Sequence, residues 1–264
     1  MPETKIWHSP RPAWRIDEGN LTKNCVMNSS YDDVADWYDS VMRAGNIVQD
    51  AAVQALHDLA GNVENLRICD LACGQGYAAR SFADCGASVV GVDISSKLLD
   101  IARSEERTVC RGIEYAEMNA ESLAGLPAAS FDGVICNMAL MDIGDLGAAS
   151  ASTQRVLRTG GWFVFSIMHP CFQTPKSAWI SEADKEGRLV RAYYEEGYWY
   201  SSKSGMRGRV GSVHRTLSTY FNTIRAAGFV LEAVAEPRLR RVRCGLDPVD
   251  DEVPVVLAAS FVKS

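Results

Sequence analysis

The sequence predicts an α/β fold, a doubly wound, seven-stranded, mostly parallel sheet with an aromatic-rich cap inserted after the fifth strand. Three observations carry this reading. Strand-like apolar runs alternate with stretches of helical period through the middle of the chain. The run Ile68-Cys69-Asp70-Leu71-Ala72-Cys73-Gly74-Gln75-Gly76 takes a strand into a small-residue turn ending in Gly-x-Gly, where glycine permits positive φ and close approach by a ligand. A second strand, Val89-Val90-Gly91-Val92-Asp93, ends in an acid 17 residues past Gly76, a spacing that suits a carboxylate for ribose hydroxyls.

The elements follow in order. Leu66 to Leu71 is the first strand and Tyr77 to Cys85 its helix, stopped by Gly86; Ser88 to Asp93 is the second strand. Ser95-Ser96 can cap a helix whose face carries Leu98, Leu99, Ile101 and Ala102. Ile113 to Ala116 is a short third strand and Phe131 to Cys136 the fourth, with a helix near Asp145 to Leu157. Thr159-Gly160-Gly161 reads as a turn before the fifth strand, Trp162 to Met168. A helix at Thr216 to Ala227, ended by Gly228, and strands at Phe229 to Ala235 and Val253 to Val262 complete the sheet.

Two segments break the rhythm. Residues 1–45 carry Trp7, Trp14, Tyr31, Trp37 and Tyr38 in a polar, Pro-containing stretch and read as an amino-terminal lid segment. Residues 171–212 are rich in Tyr, Trp, Ser and Gly, including Tyr193-Tyr194 and Tyr198-Trp199-Tyr200. They leave the sheet at its carboxyl edge, where open α/β sheets bind ligands, and so read as a substrate cap, with Tyr194 and Trp199 as candidate contacts. The expected organisation is one domain with a cap: lid 1–45, binding core 46–170, cap 171–212 and the carboxyl-terminal part of the sheet, 213–264.

Composition excludes several classes. No apolar run reaches the length that spans a bilayer, and the amino terminus lacks the basic start and apolar core of a signal peptide, so a cytoplasmic protein is expected. None of the eight cysteines forms a C-x-x-C pair, and metal binding is not expected. A net charge of −6 argues against non-specific nucleic-acid binding. That charge hides an asymmetry: Lys203 to Arg243 holds nine Lys/Arg against Glu232 and Glu236, which reads either as solvated faces or as recognition of an anionic group.

The Asp-Leu-x-Cys-Gly-x-Gly turn with its following Gly-Val-Asp resembles the first motifs of the class I S-adenosylmethionine-dependent methyltransferases, and the resemblance extends from about Tyr31 to Phe261. It implies a Rossmann-like fold, S-adenosylmethionine as cofactor, and a small-molecule substrate methylated on O, N or C in bacterial metabolism or natural-product biosynthesis. By the same resemblance Asp70, Ala72, Gly74 and Gly76 line the methionine end, Asp93 holds the ribose and Ile94 packs on the adenine. Asn119-Ala120 stands where the family usually has an Asp for the adenine amino group, and Ala72 stands where many relatives have Gly. Asn137-Met138, in the run to Asp142, falls at the motif beside the sulfonium. Tyr31 and Tyr38 resemble a Tyr-Asp…Tyr-Asp lid helix and are seven apart, hence on one helical face.

Two histidines stand where a base is expected: His169, just past the fifth strand, and His214, at the return from the insertion. The run at 137–140 is Asn-Met-Ala-Leu, not the Asn-Pro-Pro-Tyr type used on planar amino groups. Two other readings stay open: a methyltransferase-fold cyclase or regulatory binding protein, and an NAD-dependent oxidoreductase. Oligomeric state, a homodimer included, is not legible.

Overall fold

The computed structural model describes residues 31–182, 185–201, 205–239 and 253–264. Trp7, Trp14, the remainder of the expected lid before Tyr31, and Lys203, Arg240, Arg241 and Arg243 of the basic segment lie outside the described residues. A 3-10 turn at Asp32–Val34 leads into α1 (Ala35–Arg43) and α2 (Ile47–Ala60). Asn46 caps α2, its side-chain oxygen accepting from the N–H groups of Val48 and Gln49. Then come β1 (Arg67–Leu71), α3 (Tyr77–Asp84), β2 (Ser88–Asp93), α4 (Ser96–Thr108), β3 (Glu114–Glu117), β4 (Phe131–Asn137), a 3-10 turn at Leu140–Asp142, α5 (Leu146–Val156) and β5 (Leu157–Met168).

Between β5 and the next long helix the chain forms two antiparallel ribbons. One pairs β6 (Ala178–Glu182) with β7 (Lys185–Leu189); the other pairs β8 (Gly197–Trp199) with β9 (Ser212–His214), with the short helix α6 (Met206–Arg209) between them. Helix α7 (Leu217–Ala226) and strands β10 (Phe229–Ala235) and β11 (Val256–Lys263) follow.

The seven-stranded sheet has the order β3-β2-β1-β4-β5-β11-β10. Pairings along it are parallel except those of β11, which runs antiparallel to both β5 and β10. The predicted sheet is therefore present, with local differences of boundary, among them a last strand that starts at Val256 rather than Val253. Thr159-Gly160-Gly161 lies inside β5 rather than before it: Gly160 takes φ +74° and the β4–β5 register shifts between Phe131 and Gly133, so the glycines make a bulge that keeps pairing on both sides. The third strand is Glu114–Glu117, one residue later than predicted.

Because successive strand side chains point to opposite faces, each central strand feeds two cores. Ile68, Val89, Ile135 and Val164 meet Val53 and Leu56 of α2 and Ala79 and Phe82 of α3. Their neighbours Cys69, Val90, Val134 and Phe163 meet Leu146 and Ala149 of α5 and Tyr220 and Ile224 of α7. Gly133 marks the closest approach: a Cβ there would sit 2.2 Å from the Trp162 ring. Gly133→Ala should therefore lower stability by about 1–3 kcal/mol through overpacking, measured as a shift of the urea midpoint; an unchanged midpoint would show that Trp162 moves aside without cost.

Candidate cofactor and acceptor site

Strand order reverses between β1 and β4, and the crevice outside their carboxyl ends is where an open α/β sheet takes a ligand. A cavity of about 700 Å³ opens there. Tyr38, Asp70, Ala72, Gly74, Asp93, Ile94, Asn119, Ala120, Asn137 and Met138 all line it, as do Tyr31 and Asp142. Gly76 does not. It starts α3 in the left-handed region at φ +82°, where a Cβ would lie 2.3 Å from the Tyr115 hydroxyl, so its role is to let the turn close.

Asp93 is buried, and both its oxygens are engaged by main chain. Oδ2 accepts the Gly74 N–H at 2.7 Å and Oδ1 accepts the Ser95 N–H at 2.8 Å. Burial raises its pKa, and the donated N–H groups pull in the opposite direction. Each oxygen keeps lone-pair capacity for a ligand hydroxyl while its orientation is fixed. Ser95 also caps α4, as predicted, accepting the Leu98 N–H at 3.2 Å. Its hydroxyl donates to Asp32, and the Lys97 ammonium donates to the Asp32 carbonyl at 3.0 Å, which fastens the segment before α1 to the rim of the cavity.

Asp70 is fully buried, and neither carboxylate oxygen has a hydrogen-bond partner of good geometry. Burial pushes its pKa up to about 8; the Asp93 charge adds to the rise, while the Ala79 N–H and Arg80 oppose it. An orphaned buried carboxyl beside a glycine turn lacks a cationic or hydrogen-bonding partner, which a ligand would supply. At the end of β4, Asn137 donates from Nδ2 to Gln49 at 2.7 Å and accepts the Ser166 hydroxyl at 2.8 Å; the Ser166 oxygen accepts the Met138 N–H at 3.0 Å. Met138 and Ala72 both take φ +55°, a region costly to non-glycine residues, so backbone strain sits on both sides of the crevice. Asn119 turns its side-chain oxygen onto the Glu121 N–H at 2.8 Å.

The expected lid pair also meets the cavity. The Tyr31 and Tyr38 rings lie edge to face with centroids 6.1 Å apart, Tyr31 just ahead of the helix and Tyr38 on α1. The Tyr31 hydroxyl donates to Asp142 Oδ2 at 2.7 Å, and Arg207 of α6 donates to Asp142 Oδ1. Arg209 stacks over the Trp37 ring at 4.4 Å. Burial and Asp142 raise the Tyr31 pKa, which keeps that hydroxyl protonated and makes it a donor rather than a base.

The two histidines part company. His214 is buried, lines a second cavity and donates from Nε2 to the Tyr193 carbonyl at 2.9 Å, so the neutral ring carries its lone pair on Nδ1. His169, expected as a base, is not brought to the cofactor cavity: Nδ1 accepts the Cys171 N–H at 3.2 Å and Nε2 meets Glu236 at 2.8 Å, leaving both ring nitrogens engaged in local structure. Tyr194, expected at the substrate, is 88% exposed and packs on Tyr193. Trp199 lines the second cavity. Gln49 and Arg207 were not singled out; Gln49 is placed by its helix cap, and Arg207 belongs to the basic run but gains meaning only when α6 reaches Asp142. Among the described residues no group of three or more His, Cys, Asp or Glu could hold a metal ion, and no helix is long and apolar enough to cross a membrane.

A doubly wound sheet with a glycine turn, a buried carboxylate ending β2 and a crevice at the switch point is the arrangement in which α/β domains take nucleoside cofactors. A family model described as "Methyltransferase domain" matches residues 69–165. A ubiquinone biosynthesis O-methyltransferase of Bordetella avium is 28% identical over 169 residues, 63% of this chain and 66% of that protein. One from Thiobacillus denitrificans is 32% identical over 103 residues, 39% of this chain and 44% of that protein, so the matches span from under half to about two thirds of these relatives' length. The crystal structure of an S-adenosylmethionine-dependent methyltransferase from Mesorhizobium loti superposes with a TM-score of 0.69 at 29% identity, covering 83% of this chain and 100% of that one. These likenesses support a class I S-adenosylmethionine-dependent methyltransferase, with S-adenosylmethionine the cofactor they imply.

The residues present fit that cofactor. Asp70 offers an unsatisfied carboxylate to a cationic methionine end, Asp93 two oriented oxygens to ribose, and Ile94 and Met118 apolar surface to a base. With its pKa at about 8, Asp70 must lose a proton to meet a cation, so the sign is fixed: cofactor affinity rises as pH increases toward 8. Between pH 6.5 and 8 the affinity should climb by up to about tenfold per unit, with a proton released, and Asp70→Asn should flatten the profile. Calorimetry in buffers of different ionisation enthalpy measures both; equal slopes in wild type and Asp70→Asn would refute the assignment.

Proposed function

We propose that the protein transfers the methyl group of S-adenosylmethionine to a small-molecule acceptor, a hydroxyl oxygen being the atom best supported. The observation that carries this reading is the adjacency of the hollows. A cavity of about 500 Å³ shares Tyr31, Tyr38, Met42, Gln49 and Met138 with the cofactor cavity. It shares Met141, Met168, Ser201 and Arg207 with the cavity of about 470 Å³ that His214 and Trp199 line. A chamber for the acceptor directly beside the donor is what transfer requires, whereas a cyclase or a regulatory binding protein needs no such neighbour. The O-methyltransferase names of the relatives support oxygen as the acceptor.

When bound, the cofactor supplies a methyl on a sulfonium, displaced in line with a neutral leaving group. This chain's own residues align and shield. Asp93, held by the Gly74 and Ser95 N–H groups, fixes the nucleoside end. The Gln49–Asn137–Ser166 network fixes the end of β4 beside the junction. Tyr31, protonated and anchored on Asp142 by its one O–H, orients the acceptor by accepting from its hydroxyl or by packing beside it. We assign the lid role to the described segment up to residue 45 and the acceptor cover to 171–212, tied to each other through Arg209 and Trp37. His214 is the candidate base in this reading, since neutral imidazole with Nε2 committed retains basicity at Nδ1.

Asp93→Ala should weaken S-adenosylmethionine binding by roughly tenfold to a few hundredfold, the effect of losing charge-assisted hydrogen bonds and the anchor of the turn. His214→Gln should leave that affinity within about twofold and lower kcat by about tenfold or more. Undiminished cofactor affinity in Asp93→Ala would sink the site assignment, and an undiminished kcat in His214→Gln would remove the histidine from the chemistry.

A further inference from the structure

Hydrogen bonds in series give the end of β4 a fixed direction. The Met138 N–H donates to the Ser166 hydroxyl oxygen at 3.0 Å, so that hydroxyl turns its own hydrogen elsewhere and donates to Asn137 Oδ1 at 2.8 Å. With its carbonyl committed to Ser166, Asn137 has only its NH2 to offer, and Nδ2 donates to Gln49 Oε1 at 2.7 Å. The orientation of both amides thus follows from a main-chain donor, whose role is never ambiguous. Gln49 ends the series with its carbonyl used and its NH2 without a partner among the described residues.

Gln49 borders the cofactor cavity and the middle cavity of about 500 Å³ alike. Its main chain is pinned at the start of α2, where the Asn46 side chain accepts its N–H at 3.3 Å. The other residues common to the two cavities are Tyr31, Tyr38, Met42 and Met138. The methionine side chains have no donor. Tyr31 has given its one proton to Asp142, so its oxygen can only accept. The Tyr38 hydroxyl can turn either to donate or to accept. Among these shared side chains, Gln49 alone presents a group that can only donate. The far cavity, bordered by Lys176 and Trp199, shares no lining residue with the cofactor cavity, so the acceptor atom belongs at the partition that Gln49 forms.

A fixed N–H beside the donor has a chemical complement: an atom with a lone pair to spare. A hydroxyl oxygen has two, one to accept from Gln49 and one to face the donor, and its hydrogen goes to the Tyr31 oxygen. An amine nitrogen has a single lone pair. Once that pair faces the donor, its N–H groups meet the Gln49 NH2, and donors are left opposed.

We propose that Gln49 selects oxygen over nitrogen in the acceptor, donating from Nε2 to the hydroxyl that receives the methyl group. Ser166 is a positioning residue in this arrangement: buried and lining none of the three cavities, it sets which way the Asn137 and Gln49 amides point. This inference rests on the methyltransferase reading, because it names the specificity of that same site.

Phenol and aniline test it as probes small enough for either chamber, titrated into protein saturated with sinefungin, whose ammonium stands where the donor carries its sulfonium methyl and claims one lone pair. Phenol should bind about tenfold or more tightly than aniline, and the Gln49 side-chain amide protons should move downfield in the NMR spectrum as phenol binds. Gln49→Met should shrink the preference to within about threefold, and Ser166→Ala should reduce it by about twofold to fivefold from outside the cavities. Retained sinefungin binding certifies that the variants are folded. Equal binding of phenol and aniline by the wild type, no binding of phenol, or a preference left untouched by Gln49→Met or by Ser166→Ala overturns this inference and leaves the methyltransferase reading intact. Failure of the wild type to bind sinefungin and S-adenosylmethionine alike overturns both.

Discussion

The grip of one carboxylate on two main-chain N–H groups underlies the whole site. Asp93 ends β2 and reaches sideways to Gly74 at the end of β1 and forward to Ser95 at the start of α4. One buried anion thus ties the glycine turn to the neighbouring strand. Its charge is tolerable in the interior because N–H dipoles replace lost water. Through the Ser95 hydroxyl the same linkage extends to Asp32, so the segment leading into α1 is positioned by the group that shapes the nucleoside end.

Against that ordered point stands a set of unfavourable features on the neighbouring strands. Asp70 is buried without a hydrogen bond of good geometry, and Ala72 and Met138 hold positive φ. Stability alone would select against each; together they concentrate at the switch point, where a ligand can repay them. The fold tolerates them because the surrounding sheet is continuous on both sides, with aliphatic and aromatic cores filled from alternate positions of every central strand.

How much of this was legible in the sequence follows the range of the interactions. Strands β1, β2 and β4 and the Ser95 cap are encoded by local apolar runs and turns and could be read directly, whereas the site residues from Asp70 to Met138 came from the resemblance of short motifs. The β5 boundary was misread because Thr-Gly-Gly has the composition of a turn, and only pairing with β4 turns it into a bulge. His169 sits at the ligand edge in sequence order, yet Glu236, 67 residues on, meets its Nε2 and makes it structural. Tyr194 failed for a related reason: aromatic composition does not say which ring of a Tyr-Tyr pair turns inward. Arg207 and Arg215 owe their places to contacts that no spacing encodes, with partners 65 and 75 residues away, and Gln49, set by a local cap, meets Asn137 88 residues on.

Tyr31 is a wall common to two chambers, and that has a consequence for dissecting the protein kinetically. On the methyltransferase reading, a side chain that borders donor and acceptor at once cannot be altered for one ligand alone. Its truncation enters both apparent Michaelis constants and mimics a coupled mechanism even where the ligands bind independently. Lys176 and Trp199, which border the far chamber without bordering the donor chamber, are free of that ambiguity. The geometry of the partitions therefore decides which substitutions can be interpreted one ligand at a time.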